Sequence, residues 1–417
     1  MEEFPNEKEK NMKKRLFALI AAVSLMFTAC ATADPDASSS APEGTSSGTA
    51  EGTKDPIVLQ IGVEPSYVDY YTEMGEAYTA ENPHVTFEIV GTGMFDILNS
   101  LEAQKGNSAD IFMLPNDRVG DLAQKRLIAP ITADISSYSK PSQGAAEFEG
   151  EKYFVPLTTD TTLLYYNKSL VEEVPTTLSE IDPADWSAKY TDFYIAAGML
   201  ANHGAYIFGD DNTDIGLNSP EAVAGLKVIQ DLFHNGSENW VAMQEDTSGY
   251  DYQVQAFIDG SIKYYIDGPW KFTDLVSGGL AEENIGFIPV PSWDGEGTYA
   301  PLSGVKGVAV NAYSKNVEEA QKFLETLATA ENAQKWYDAH NEVNPHQDVV
   351  FEEGSIAEVV AQATSVGTPM PTDPAFGKVW VPMADALKQV AADPSVDPQA
   401  VLDAAVATIE ADIAAMG

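Results

Sequence analysis

Short apolar runs alternate with helical stretches from Ile57 to Pro115, and this alternation restricts the fold more than any other feature of the chain. Ile57-Val58-Leu59-Gln60-Ile61 reads as a strand. The stretch from Tyr67 to Ala80 reads as a helix that stops near Asn82-Pro83, since proline cannot continue one. Val85 to Ile89 alternates as a strand, Phe95 to Lys105 reads as helix, and Ile111-Phe112-Met113-Leu114 is a buried strand ended by Pro115. Strands separated by helices of this length predict a mostly parallel sheet covered by helices. The pattern returns downstream. Ser219-Pro220-Glu221 opens a helix with a capping serine and a proline in the first turn, running to Asn235-Gly236. Ile262 to Ile266 and Val305 to Val310 read as strands; Glu318 to Ala328, Gly377 to Val390 and Pro398 to Ala415 read as helices. There is no internal repeat.

The N-terminus carries an address rather than a fold. Lys13, Lys14 and Arg15 precede the apolar run Leu16 to Phe27, followed by Thr28, Ala29 and Cys30, the order of a secretory signal and its cleavage site. As a helix that run spans about 18 Å, too short for a bilayer core of about 30 Å. Met12 is an alternative start, because Glu2, Glu3, Glu7 and Glu9 weaken the basic region. Residues 31–55 are Ala, Ser, Thr, Gly, Pro, Asp and Glu, with Lys54 the one exception and almost no apolar mass, the composition of a disordered linker. The rest is longer than one hydrophobic core usually holds, so two lobes are expected.

Composition narrows the function classes. With 64 acidic residues against 23 basic ones the chain repels nucleic acid. Cys30 is the single cysteine, so no intrachain disulfide can form. The sequence has no nucleophile elbow, P-loop or dinucleotide fingerprint. Its five histidines have no zinc spacing. Asp210, Asn212, Asp214 and Glu221 roughly follow a calcium loop, but Ile215 stands where the sharp turn needs glycine, so a plain acidic turn is the better reading. No cofactor and no metal are expected.

Aromatic residues are the informative remainder: six Trp and 18 Tyr. Trp270 follows Gly268-Pro269, a turn that can push an indole into a cleft. Sugars offer apolar C–H faces to such rings and need forked donors and acceptors for their hydroxyls. Asp117-Arg118, after a strand end, supplies an acceptor and a rigid fork. On residue chemistry alone, a helix N-cap for Asp117 and core packing for the tryptophans are the stronger readings.

Several segments resemble the maltose-binding-protein family of transporter solute-binding proteins. Asp110 to Gly120 is similar to that family's strand-and-helix entry, with an Asp-Arg pair at Asp117-Arg118. Pro156-Leu157 through Leu163-Leu164-Tyr165-Tyr166-Asn167-Lys168-Ser169-Leu170 resembles its crossover between lobes. Ile266-Asp267-Gly268-Pro269-Trp270 resembles its NGPW turn, Gly304 to Asn311 its second crossover strand, and Lys315 with Glu318 to Leu327 the helix after it. The resemblance spans 56–417.

It implies an α/β, two-lobe periplasmic-binding-protein-like fold, each lobe a mixed sheet flanked by helices, joined by crossing hinge segments. The expected division is signal peptide 1–29, lipidated Cys30 and linker 30–55, lobe 1 at 56–158 plus 304–352, and lobe 2 at 159–303 plus 353–417. The resemblance also implies hinge closure around an oligosaccharide, of the maltose or maltodextrin class, delivered to ABC-transporter permease subunits by a monomer tethered outside the cell through Cys30, with no enzymatic chemistry. Ligand positions carried over are Asp117, Arg118, Asp160, Asp192, Tyr194, Trp270 and Trp380. Leu114 stands where relatives have a stacking Trp, and Val381 follows Trp380 where a Tyr is common. The alternatives are a secreted carbohydrate-active hydrolase and a binder of a non-sugar ligand such as a polyamine.

Overall fold

The computed structural model describes residues 55–209 and 212–416. The segments expected to be a signal peptide and linker, with Cys30, lie outside them apart from Asp55, as does Asp210.

The first sheet grows from the alternation at the start of the chain. Strand β1 (Ile57–Val63), helix α1 (Val68–Glu81), β2 (Val85–Gly91), α2 (Met94–Gln104) and β3 (Ile111–Pro115) follow in order. β1 pairs in parallel with β2 and β3. Helix α3 (Val119–Gln124) is short and ends before Arg126, which is exposed with φ 55. After β4 (Ile128–Ala129), β5 (Val155–Asp160) runs straight through Thr161-Thr162 into β6 (Leu163–Asn167), which belongs to a different sheet.

That second sheet adds β7 (Trp186–Ala188). Helices α4 (Phe193–Asn202), α5 (Pro220–Asn235) and α6 (Asp246–Ile258) precede its β8 (Tyr264–Asp267) and β9 (Ile285–Pro289). The order is β9-β6-β8-β7, with β6 antiparallel to both neighbours and β8 parallel to β7. The chain then returns: β10 (Leu302–Asn311) lies antiparallel to β3, β4 and β5, which makes the first sheet mixed. Helices α7 (Val317–Leu327), α8 (Ala330–His340) and α9 (Ile356–Thr364) follow. The chain crosses again through β11 (Thr368–Pro369), parallel to the start of β10, into α10 (Trp380–Ala392) and α11 (Pro398–Ala414). Thr161 Oγ1 donates to Leu302 O at 2.9 Å and ties two of the crossings together.

Local rules set these elements. Ser219 accepts from Ala222 N with Pro220 in the first turn of α5, and Asp397 caps α11 before Pro398. The gain over the sequence reading is at boundaries. The segment read as one helix from Gly377 is a 3-10 turn, Pro374–Lys378, followed by α10.

Each sheet has its own core. Around the first, Trp336 packs against Tyr67, Tyr70 and Tyr71 with ring centres 4.8, 5.2 and 6.4 Å away. Around the second, Trp186 meets Trp240 edge-on at 4.7 Å, both fully buried. At about 1.5–3 kcal/mol per buried large side chain, these clusters hold each body rigid.

Candidate ligand-binding site

The site forms where strand ends of both sheets meet. After β3 the chain makes a 3-10 turn, Asn116–Arg118. Asn116 is buried; its Nδ2 donates to Met370 O at 2.7 Å, and its Oδ1 accepts from Val305 N at 3.0 Å. This pins the turn so that Asp117, 5% exposed, faces the second body. Trp380, at the start of α10, donates its indole N–H to Asp117 Oδ2 at 3.1 Å. Arg118 Nε lies 3.7 Å from the same oxygen. Burial pushes the Asp117 carboxyl above its usual range, while the Arg118 charge and the Trp380 bond pull the other way. The N-cap reading for Asp117 does not hold, because its side chain caps no helix and spans the two bodies instead.

Behind the turn sits a charged pair. Asp160 ends β5 and Lys306 lies on β10, where the register against β5 slips between Lys306 and Gly307. Such a bulge re-aims the side chain beside it. Gly307 is required there, since a Cβ would stand 2.1 Å from the Phe154 ring. Lys306 Nζ meets Asp160 Oδ2 at 2.6 Å. Glu342, just after α8, accepts from Tyr67 Oη at 2.8 Å. Burial, and then the Asp160 charge, pushes the Glu342 carboxyl up to about 7. Burial pulls the Lys306 ammonium down, but Asp160 and Glu342 outweigh it and leave a net rise.

The second body supplies the opposite wall. Asp192 caps α4 by accepting from Tyr194 N at 2.8 Å, and its other oxygen accepts from Tyr250 Oη on α6. Trp270 follows β8 in the turn after Asp267-Gly268-Pro269. Its indole folds back so closely that a Cβ on Gly268 would lie 2.1 Å from it. Tyr194 and Trp270 rings are 6.0 Å apart at 53°, and Lys306 Nζ stands 5.1 Å from the Trp270 ring centre. The Tyr194 hydroxyl is pushed up by burial first and then by Asp160, Asp192, Asp267 and Asp117. That phenol marks where carboxylates from both walls converge.

Asp267 is 1% exposed. Its Oδ1 accepts from Gly268 N at 2.7 Å, and the Trp270 indole and the Lys271 charge also act on the carboxyl. Burial pushes the carboxyl up from 3.8 to about 7. Its folded-state value is raised, so the folded protein holds a proton there that the unfolded chain releases. Stability from this group is full below about pH 4 and is lost as pH rises through about 7. Asp267→Asn is therefore expected to raise the unfolding midpoint of the ligand-free protein more at about pH 8 than at about pH 5. An equal shift at both pH values would contradict the assignment.

All seven positions carried over by resemblance come together here. Asp117, Arg118 and Trp380 form one group; Asp160 joins Asp192, Tyr194 and Trp270 through Lys306. Tyr67, Tyr250, Asp267, Lys306 and Glu342 are additions. A lysine inside the apolar run Val305 to Val310 was a usable signal for Lys306; Glu342 and Tyr67 had none. Leu114 is fully buried in β3, and Val381 is 69% exposed. Trp186, Trp240 and Trp336 are core. In the acidic turn, Asn212 donates to Asp373 and Asp214 accepts from Tyr206. The arrangement offers paired acceptors, a forked cation and half-buried ring faces, which is what a neutral polyhydroxyl ligand requires.

Comparison with known proteins gives the family and similar structures. The family described as bacterial extracellular solute-binding proteins matches residues 64–334. The maltodextrin-binding protein MdxE of Bacillus subtilis (strain 168) is 30% identical over 396 residues, covering 88% of this chain and 90% of that protein. A maltooligosaccharide ABC transporter solute-binding lipoprotein of Streptococcus pneumoniae (strain ATCC BAA-255 / R6) is 29% identical, covering 87% and 88%. Among solved structures, the maltose-binding periplasmic protein MalE of Listeria monocytogenes in complex with maltose superposes with a TM-score of 0.74 at 27% identity, covering 87% of this chain and 99% of that one.

Proposed function

The chain belongs to the bacterial extracellular solute-binding protein family, and from that premise we propose that it captures a maltodextrin by closing two lobes on it and presents it to an ABC importer. The family is one of binding proteins, not enzymes. The observation that carries the ligand reading is the Trp380–Asp117 hydrogen bond of 3.1 Å. It joins the start of α10 to the Asp-Arg turn of the first sheet. An acceptor and an aromatic face from opposite walls thus meet at one point, where a sugar ring presents hydroxyls at its edge and C–H groups on its face. The names of the B. subtilis and S. pneumoniae relatives favour the maltodextrin class.

In this reading Asp117, Arg118, Asp160 and Asp192 bond hydroxyls, Tyr194 closes the floor, and Trp270 and Trp380 stack. The lobes are 56–158 plus 304–352 and 159–303 plus 353–417. Binding energy biases the open–closed equilibrium, and the closed form is what the permease subunits engage. Calorimetric titration with maltose, maltotriose and spermidine tests it: binding of the glucans and not the polyamine is expected. Binding of spermidine alone would replace the sugar reading with a cation reading.

Anchoring completes the proposal. The signal and the lone Cys30 support lipidation, as does the description of the S. pneumoniae relative as a lipoprotein. One acyl chain holds only marginally, so more than one is expected on Cys30. The body then works as a monomer kept near its transporter. Cys30→Ala is expected to release sugar-competent protein into the medium. Retention in the membrane fraction would count against the anchor.

A further inference from the structure

Helix α2 turns Met94, Ile97 and Leu101 into the core, all buried at helical spacing. Phe95 falls about 100° round the axis from Met94, and its side chain is 50% exposed. A single exposed phenylalanine is ordinary, but this one is attached to the site. The guanidinium carbon of Arg118 lies 5.9 Å from its ring centre. Arg118 is 3.7 Å from Asp117, and Asp117 accepts from Trp380. The position is held from below, since Glu64 at the end of β1 accepts from Met94 N at 2.8 Å and fixes the first turn of α2. Phe95 therefore sets an exposed ring face beside the Arg118, Asp117 and Trp380 group.

We propose that Phe95 is a length-selecting platform. Its ring takes the C–H face of a glucosyl unit beyond those held between Trp270 and Trp380, while Arg118, with its side chain 38% exposed, donates to that unit's hydroxyls. This rests on the maltodextrin reading above. On this proposal Phe95 serves glucans longer than a disaccharide seated between the two tryptophans.

The test is calorimetry of wild type, Phe95→Ala and Phe95→Trp with maltose, maltotriose, maltotetraose and maltopentaose. Wild-type affinity is expected to rise along the series. Phe95→Ala should flatten that rise, losing under about twofold on maltose and about three- to tenfold on the longest glucan. Phe95→Trp should keep it. A Phe95→Ala loss that is equal at every length, or absent at every length, overturns the platform and leaves the main reading intact. So does a Phe95→Trp variant that behaves like Phe95→Ala. A wild type that binds none of the four overturns both.

Discussion

Replacing Trp270 by alanine is expected to weaken maltotriose binding by about 2–3 kcal/mol, roughly 30- to 150-fold in Kd. The indole is half-buried and stands between Lys306 Nζ, 5.1 Å from its ring centre, and the Tyr194 ring at 6.0 Å. A sugar stacked there gains ring contact on an apolar face and hydroxyl partners at its edge. Truncation removes the face and leaves Lys306 without its ring neighbour. The fold should tolerate the change, because Trp270 lies outside the core tryptophans Trp186, Trp240 and Trp336. Calorimetry should show the loss with an unfolding midpoint close to wild type. Gly268→Ala is a second route to the same result, since a Cβ 2.1 Å from the indole displaces it while keeping it in the chain. Maltotriose affinity within twofold of wild type in Trp270→Ala would remove this residue from the site.

A second large effect is expected on stability. Lys306→Ala should cost about 3 kcal/mol, the lower end for breaking a buried ion pair, because a quarter of the lysine side chain still reaches solvent. Asp160, 3% exposed, would then lose its partner at 2.6 Å, and the Glu342 carboxyl beside it, already pushed up to about 7, would lose the lysine charge that pulls it down. The damage comes from stranding a charge rather than from losing an attraction. Lys306→Met combined with Asp160→Leu should therefore recover most of the loss. Denaturant unfolding of wild type, single and double variants measures this directly. A double variant as unstable as the single would mean that packing, not charge, holds this corner.

Parts of the architecture were legible because their causes are local. The helix predicted from Tyr67 to Ala80 forms as Val68–Glu81 and ends at Asn82, just before Pro83. The Ser219-Pro220 start of α5 is a cap and a proline acting within one turn. Asp117, Arg118 and Trp270 could be singled out because short motifs carry them. What misled was equally local: the same Asp-Arg turn reads as a helix cap until a partner from α10 is present to claim the carboxylate.

The remaining features depend on residues far apart in the chain. The parallel expectation holds for β2, β1 and β3, but β10 returns antiparallel after an excursion through the second sheet, and no local pattern records a return path. Tyr67 meets Glu342 across 275 positions, and Asp117 meets Trp380 across 263. By itself, then, the sequence determined the elements, their caps, the acidic charge balance and which short motifs could face a sugar. Only the tertiary structure decided that Asp160 and Glu342 lie in one poorly solvated corner with Lys306, and that Asp267 is buried on the opposite wall. The reason is physical: a carboxylate's cost depends on the water removed from around it and on the charges brought near, and both are set by packing rather than by neighbours in sequence.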